Sequence, residues 1–374
     1  MAASPDQQPW SFDVSSLMIL VNEGEEEKYR LSQRSVLECL VLAPVVGLQT
    51  YIRSYDFLLD GAKLSYFSPD GVKSAPLRYM CLSNAINHEK LLEDRQYTVY
   101  HIPDSCGGQN TVTQPATGRY QILLVLWVLF TWTAFAGIMV FTVTAPDTTW
   151  VGITNCAAFT AWSVLLRLIE MTNIQLGKVH DAKITLPEKK DAVYILGRNN
   201  SAFVLEGTRH DVKYWTTRGP VYQKRTMGVP SWVWQTFTRF GSLLMLLFIF
   251  SSIPNGSTMD QVAFIVINGM AQINVLVGQR LNSKCCLARL ELDTSETPDT
   301  RTEVYGFLVR RFKELDDKND WIDASGLLPQ TKEWREWKGE TKRDVRRDVN
   351  VIYNEIAHRN SAAKQDPTVS PGLP

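Results

Sequence analysis

Cys156, Thr160, Ser163, Arg167 and Glu170 recur at 4-3-4-3 spacing, so in a helix a thiol, two hydroxyls, a cation and a carboxylate would line one face. Asn268, Gln272, Gln279 and Asn282 form a second polar set further along the chain. Two kinds of chemistry suit such faces. One is a wet path for a small solute or ion. The other is hydrogen bonding between helices, worth about 0.6 kcal/mol per pair on average. Helix joining is the simpler reading, and Arg167 with Glu170 reads as an i,i+3 surface pair with the arginine snorkelling outward.

Other reactive pairs are sparse. His180-Asp181 and His210-Asp211 could each suggest a base or half a metal site, but Thr208 and Asp211 already read as a capping box that uses the second pair structurally. The chain contains no H-E-x-x-H, G-x-S-x-G, G-x-x-x-x-G-K-[ST] or G-x-G-x-x-G. No catalytic residue, metal or cofactor is therefore expected. Asn199-Asn200-Ser201 and Asn255-Gly256-Ser257 match the glycosylation acceptor but fall on the wrong side of, or too near, a membrane. Cys285-Cys286 lies just past an apolar stretch with Arg280 and Lys284 beside it, a setting that suits reversible S-acylation, although two inert reduced thiols fit as well.

Both polar faces sit inside long apolar stretches. Four of these run 121–144, 150–169, 236–253 and 261–278. Each is near the ~20 residues that a helix needs to cross ~30 Å of hydrocarbon. They form two pairs, and the loops within the pairs, 145–149 and 254–260, hold no Lys or Arg. Ten basic residues precede the first stretch, ten lie between Glu170 and Gln235, and seventeen follow Gly278. The positive-inside rule then sets both termini and the loop 170–235 in the cytosol. Tyr120, Trp150, Trp232 and Trp234 fall at the ends of stretches, where aromatic rings anchor to headgroups. The polar opening of the chain has no signal-peptide pattern, so the first span is expected to direct insertion. Cys39, Cys81, Cys106, Cys285 and Cys286 are then cytosolic and Cys156 intramembrane, which argues against disulfides. A net charge of zero gives no case for nucleic acid as a partner.

The flanking segments read as structured. In the first 106 residues an α+β domain is expected, with strands at 17–21, 28–31, 62–67, 72–79 and 96–102 and a helix at 85–93. Ser68-Pro69-Asp70-Gly71 supplies a turn, with Gly71 at the positive φ. Residues 35–52 are apolar but carry Glu38, Pro44 and Gln49, so a buried or interfacial helix fits better than a fifth span. A linker covers 107–120. In the loop 170–235, strands 192–196 and 202–206 make a hairpin followed by a capped helix. Helices are expected at 302–315 and 341–358 of a tail covering 279–361, the second with an apolar stripe of Val345, Val349, Ile352 and Ile356. A disordered end, 362–374, completes the chain.

The stretch Ala192 to Gly219, AVYILGRNNSAFVLEGTRHDVKYWTTRG, falls after two spans and before a Trp-rich approach to two more. In this succession the chain resembles a group of multi-pass membrane proteins of filamentous fungi. The resemblance implies topology and carries no functional residues. The segment 17–46 also resembles the start of a BTB-type assembly domain. The expected protein is thus an α-helical polytopic membrane protein of four spans in two hairpins, with cytosolic α+β decoration. Its expected role is non-enzymatic interaction or assembly, with membrane lipids and a protein or second copy as partners. A small-solute or ion pathway is the alternative, and a membrane-bound enzyme the third.

Overall fold

The computed structural model describes residues 29–30, 36–42, 64–103, 119–177 and 189–365. Four helices in it are long and apolar enough to cross a membrane. After the short α1 (Val36–Leu42) and α2 (Met80–His88), these are α3 (Arg119–Thr144), α4 (Trp150–Asn173), α6 (Ser231–Ser252) and α7 (Thr258–Leu287). Between α4 and α6 lies α5 (Arg209–Thr217). Around the bundle α7 is central, packing on α1, α3 and α4, while α6 packs on α4. Gly241 makes that second contact close, since a Cβ there would lie 2.1 Å from the Trp162 ring.

At the loop ends of the bundle, Asp260 stitches the two hairpins together. Its carboxylate accepts from Thr149 N (3.1 Å), Thr149 Oγ1 (2.6 Å) and Ser257 N (2.9 Å). Ser257 reciprocates by accepting from Asp260 N, a capping box that starts α7. Asn255 of the acceptor sequence is engaged too, donating to the Ser251 carbonyl at 2.7 Å.

The other end carries a six-stranded sheet in the order β10-β3-β6-β5-β1-β2. Its strands are β1 (Ser65–Ser68), β2 (Lys73–Pro76), β3 (Tyr97–His101), β5 (Lys190–Leu196), β6 (Ala202–Thr208) and β10 (Glu291–Glu296). The three flanking segments, read separately in sequence, therefore contribute to one sheet. Only β3 and β6 pair in parallel, with Tyr97 opposite Ala202; the other pairs are antiparallel. The central strands are buried on both faces, which explains their near-continuous apolar runs. Val193, Ile195, Phe203 and Leu205 face α2, α5 and the end of α7, whereas Ala192, Tyr194, Ala202 and Val204 face the helices of the tail. Two small strand pairs, β4 (Ile174–Leu176) with β7 (Pro220–Tyr222) and β8 (Arg225–Thr226) with β9 (Val229–Pro230), form a collar between bundle and sheet.

The tail helices are α8 (Arg301–Arg311), α9 (Lys313–Asn319), α10 (Trp321–Ser325), α11 (Lys332–Arg343) and α12 (Val349–Gln365). The single helix expected over 341–358 is broken at Asp344–Asp348. Arg310 there donates to the carbonyls of Asp344 (3.0 Å) and Arg347, and Asp348 accepts from Asn350 N (2.7 Å), capping α12. Val345 consequently leaves the stripe and is exposed, while Val349, Ile352 and Ile356 are buried as expected. Three further differences concern the first segment. Helix α2 starts five residues before the expected 85–93, positive φ falls on Val72 and not on Gly71, and Tyr29 and Arg30 are helical where a strand was expected. Strand 17–21, the linker to Gly118, most of 35–52 and the final nine residues lie outside the described residues. The resemblance of 17–46 to an assembly domain lies largely outside them too.

Candidate functional site

The face predicted on α4 exists, and it is buried. Cys156, Thr160, Ser163, Arg167 and Glu170 all point into protein, with Cys156 and Ser163 at 0% exposure. Toward the loop end it packs on Ile249 of α6 and on Ala263, Phe264 and Ile267 of α7. At the other end it becomes ionic. Arg167 Nη1 lies 3.3 Å from Glu170 Oε2, and Arg30 Nε from the first segment approaches Glu170 Oε1 at 2.7 Å. The i,i+3 pair expected at the surface is therefore found inside, because Arg30 and Tyr29 cover it. Tyr29 is wholly buried and within electrostatic reach of Glu38 and Arg167, beside the ion pairs that Arg30 and Arg167 make with Glu170. A Cβ on Gly278 would lie 2.4 Å from the Tyr29 hydroxyl and 2.5 Å from its ring, so only glycine admits the phenol.

Gly278→Val should thus expel Tyr29 and leave the long helices intact. Buried Cys39, on the adjacent α1, should become reactive to maleimide while the far-UV spectrum is unchanged. Equal labelling of wild type and variant would show that the glycine does not seat the segment.

On α7 the polar residue that matters is one the sequence reading missed. Asn274, 1% exposed, accepts from Trp127 Nε1 and Thr131 Oγ1 of α3, both at 3.1 Å. The buried stripe runs through Ile267, Ala271, Asn274, Gly278 and Asn282. Asn268 and Gln272, each one position off that stripe, are half-buried, as is Gln279. Asn268 donates to its own helix at Phe264 O (2.8 Å). Counting from Ile267 would have selected Asn274. Arg30 and Tyr29 carry no comparable local signal. Asn282 is buried and accepts from Cys81 Sγ at 3.9 Å.

Segment 35–52 contributes α1, whose Leu40 carbonyl accepts from Trp132 Nε1 at 3.1 Å. Trp132 lies thirteen residues into α3, about 20 Å along it. The described part of the segment thus packs beside the bundle at depth.

The thiols Cys285 and Cys286 are not in the setting expected for acylation. Helix α7 runs on to Leu287 and carries both inside, Cys286 at 1% exposure in the core under the sheet beside Cys81 and Leu290. An acyl chain would have no room without parting α2 from α7. Maleimide should therefore reach these two only in unfolding detergent; rapid labelling of the native protein would contradict this packing. Thr208 caps α5 as expected, its Oγ1 accepting from Asp211 N at 3.3 Å and donating to Asp211 Oδ2 at 2.7 Å. His180-Asp181 is outside the described residues.

Comparison with family models, with curated proteins and with solved structures finds no match to this chain.

Proposed function

We propose that this chain is a four-span integral membrane protein whose sheet domain lies in the cytosol and serves a non-enzymatic interaction or assembly role. Membrane residence is supported by the outward faces of the long helices, where Ile122, Leu126, Leu129, Val143, Leu247 and Leu276 are each more than half exposed. One-sidedness is supported by the shared sheet. Its strands come from three segments separated by two hairpins, and a four-span chain brings these together only on one side of the bilayer. The distribution of Lys and Arg makes that side the cytosol.

The observation that carries the role is the ionic cluster. The polar face of α4, which would line a solute path, is closed by Arg30 and Tyr29 of the same chain. It acts as a joint that seats the first segment and, with the continuous α7, fixes the domain to the bundle. Such a domain suits presentation of a surface to another protein. Crosslinking in the native membrane should yield a stoichiometric protein partner or second copy bound through the sheet domain. Solute flux in liposomes without any crosslinked partner would overturn the role.

A solute path is the second reading, favoured by one observation. Ser163 Oγ and the Asn173 carboxamide are buried with no hydrogen-bond partner among the described residues. Cys placed at 163, 268 and 272 should resist impermeant thiol reagents if the face is a joint, whereas reaction at 163 would favour the path.

A further inference from the structure

The collar beside α6 presents a surface that the bundle does not use. The chain has no Asp or Glu between Asp211 and Asp260, but carries Lys213, Arg218, Lys224, Arg225 and Arg239 there. Arg218 is occupied, its Nε donating to Gly177 O at 2.8 Å and its guanidinium lying over the Tyr214 ring. Lys224 and Arg225 are exposed, and among the described residues no carboxylate pairs with either. They immediately precede the β8–β9 turn, whose tip residues Met227 and Gly228 take φ of 53° and 78°, the backbone of a tight hairpin. Met227 is 78% exposed at this tip, with Trp232 (66%) and Val221 (53%) exposed nearby in the chain. The Trp234 indole donates to Thr226 O at 3.3 Å, which folds the hairpin back on the first turn of α6. Arg239, two turns further and about 12 Å along the helix, is half-buried. Its Nε is buried with no partner among the described residues.

The geometry points to an anionic phospholipid of the cytosolic leaflet as the occupant of this surface, with Met227 dipping among the acyl chains and Lys224, Arg225 and Arg239 holding the headgroup. This rests on the four-span reading, which puts the start of α6 at the cytosolic interface. An apolar tip next to cations fits that zone, where acyl chains and charged headgroups meet. An arginine inside an apolar helix reaches the same zone by extending toward the interface.

The test uses the full chain carrying Met227→Cys, with Cys106→Ser to remove the thiol outside the described residues. Labelled with an environment-sensitive dye, the protein is reconstituted into vesicles of phosphatidylcholine alone or with phosphatidylserine. The dye should shift to the blue and be quenched by brominated acyl chains. The preference for brominated phosphatidylserine should fall roughly fivefold for each cation removed in Lys224→Gln, Arg225→Gln and Arg239→Gln, the factor that about 1 kcal/mol per residue corresponds to. Full quenching by aqueous iodide in both vesicle types would overturn the proposal. Shielding in native membranes but not in lipid vesicles would assign the surface to a protein and overturn it too. Alkaline carbonate separates the two layers of the argument. Release of the protein would defeat the four-span reading itself, whereas retention with a water-exposed dye would defeat only the lipid site.

Discussion

Glu170→Ala should destabilise the protein in detergent by about 3–5 kcal/mol, the cost of stranding buried charge without its partner. Arg30 and Arg167 would both lose the Glu170 carboxylate they contact, and all three side chains are at most 8% exposed. Arg30→Ala should cost less, since Arg167 still neutralises Glu170. The double variant Arg30→Ala/Glu170→Ala should be less damaging than the sum of the two, as expected for residues in direct contact. Unfolding by graded addition of a denaturing detergent measures all three. A Glu170→Ala protein within about 0.5 kcal/mol of wild type, the range of an ordinary surface change, would mean that the cluster is open to water.

Asp316→Ala should cost a similar amount, about 3–5 kcal/mol, but in the sheet domain. Asp316 is buried beneath α10 and α11, where Lys338 Nζ lies 3.1 Å away, Lys342 is in direct contact, and the Ile322 amide donates at 3.3 Å. Burial alone would raise its pKa, but the two ammonium groups and the amide together outweigh burial and hold it below the ordinary value of 3.8. The sign of the pH effect follows. A carboxylate whose folded pKa is depressed stabilises fully above its unfolded pKa, near 3.9, and loses that contribution as pH falls through the lower folded value. Asp293 adds to the same window, because the Arg311 guanidinium, bridging it to Glu206, holds it low. Thermal melts should therefore show wild type weakening below about pH 4 and Asp316→Ala weakening less steeply there. Identical slopes would show that folding leaves the pKa of Asp316 where it is in the unfolded chain.

The elements legible in the sequence are those made by local pattern. Four apolar stretches became four long helices, and the short apolar runs on both sides of the polar turn at 197–201 gave the β5–β6 hairpin. The Thr208 cap was readable because its partner is three residues away. What was not legible depends on distant neighbours. Strand β10 reads Glu-Leu-Asp-Thr-Ser-Glu, and as an exposed sheet edge it needs no apolar alternation to announce it. Arg30 looks like any surface arginine until Glu170 is opposite it. Asn268 and Asn274 are equally polar in sequence, and only the helix rotation set by α3 and α4 decides which faces Trp127. The break at Asp344–Asp348 likewise depends on Arg310, a residue of another helix.

The interleaving of the sheet has a consequence for the order in which the protein is made. Strand β3 appears before the first long helix, its parallel partner β6 after the second, and its other neighbour β10 after the fourth. Synthesis proceeds at ~5–20 residues per second, so β3 waits on the order of ten seconds or more for β6 and longer for β10. Under the four-span reading, the domain closes only after every hairpin has been inserted with the correct polarity. Because both ends of a hairpin lie on one face, it is a single missed span in the first hairpin that would strand β5 and β6 across the bilayer from β1 and β3 and leave those strands with unpaired edges. Domain closure thus acts as a proofreading step on membrane insertion, and mis-inserted chains should present open strand edges of the kind that quality-control proteases and chaperones engage.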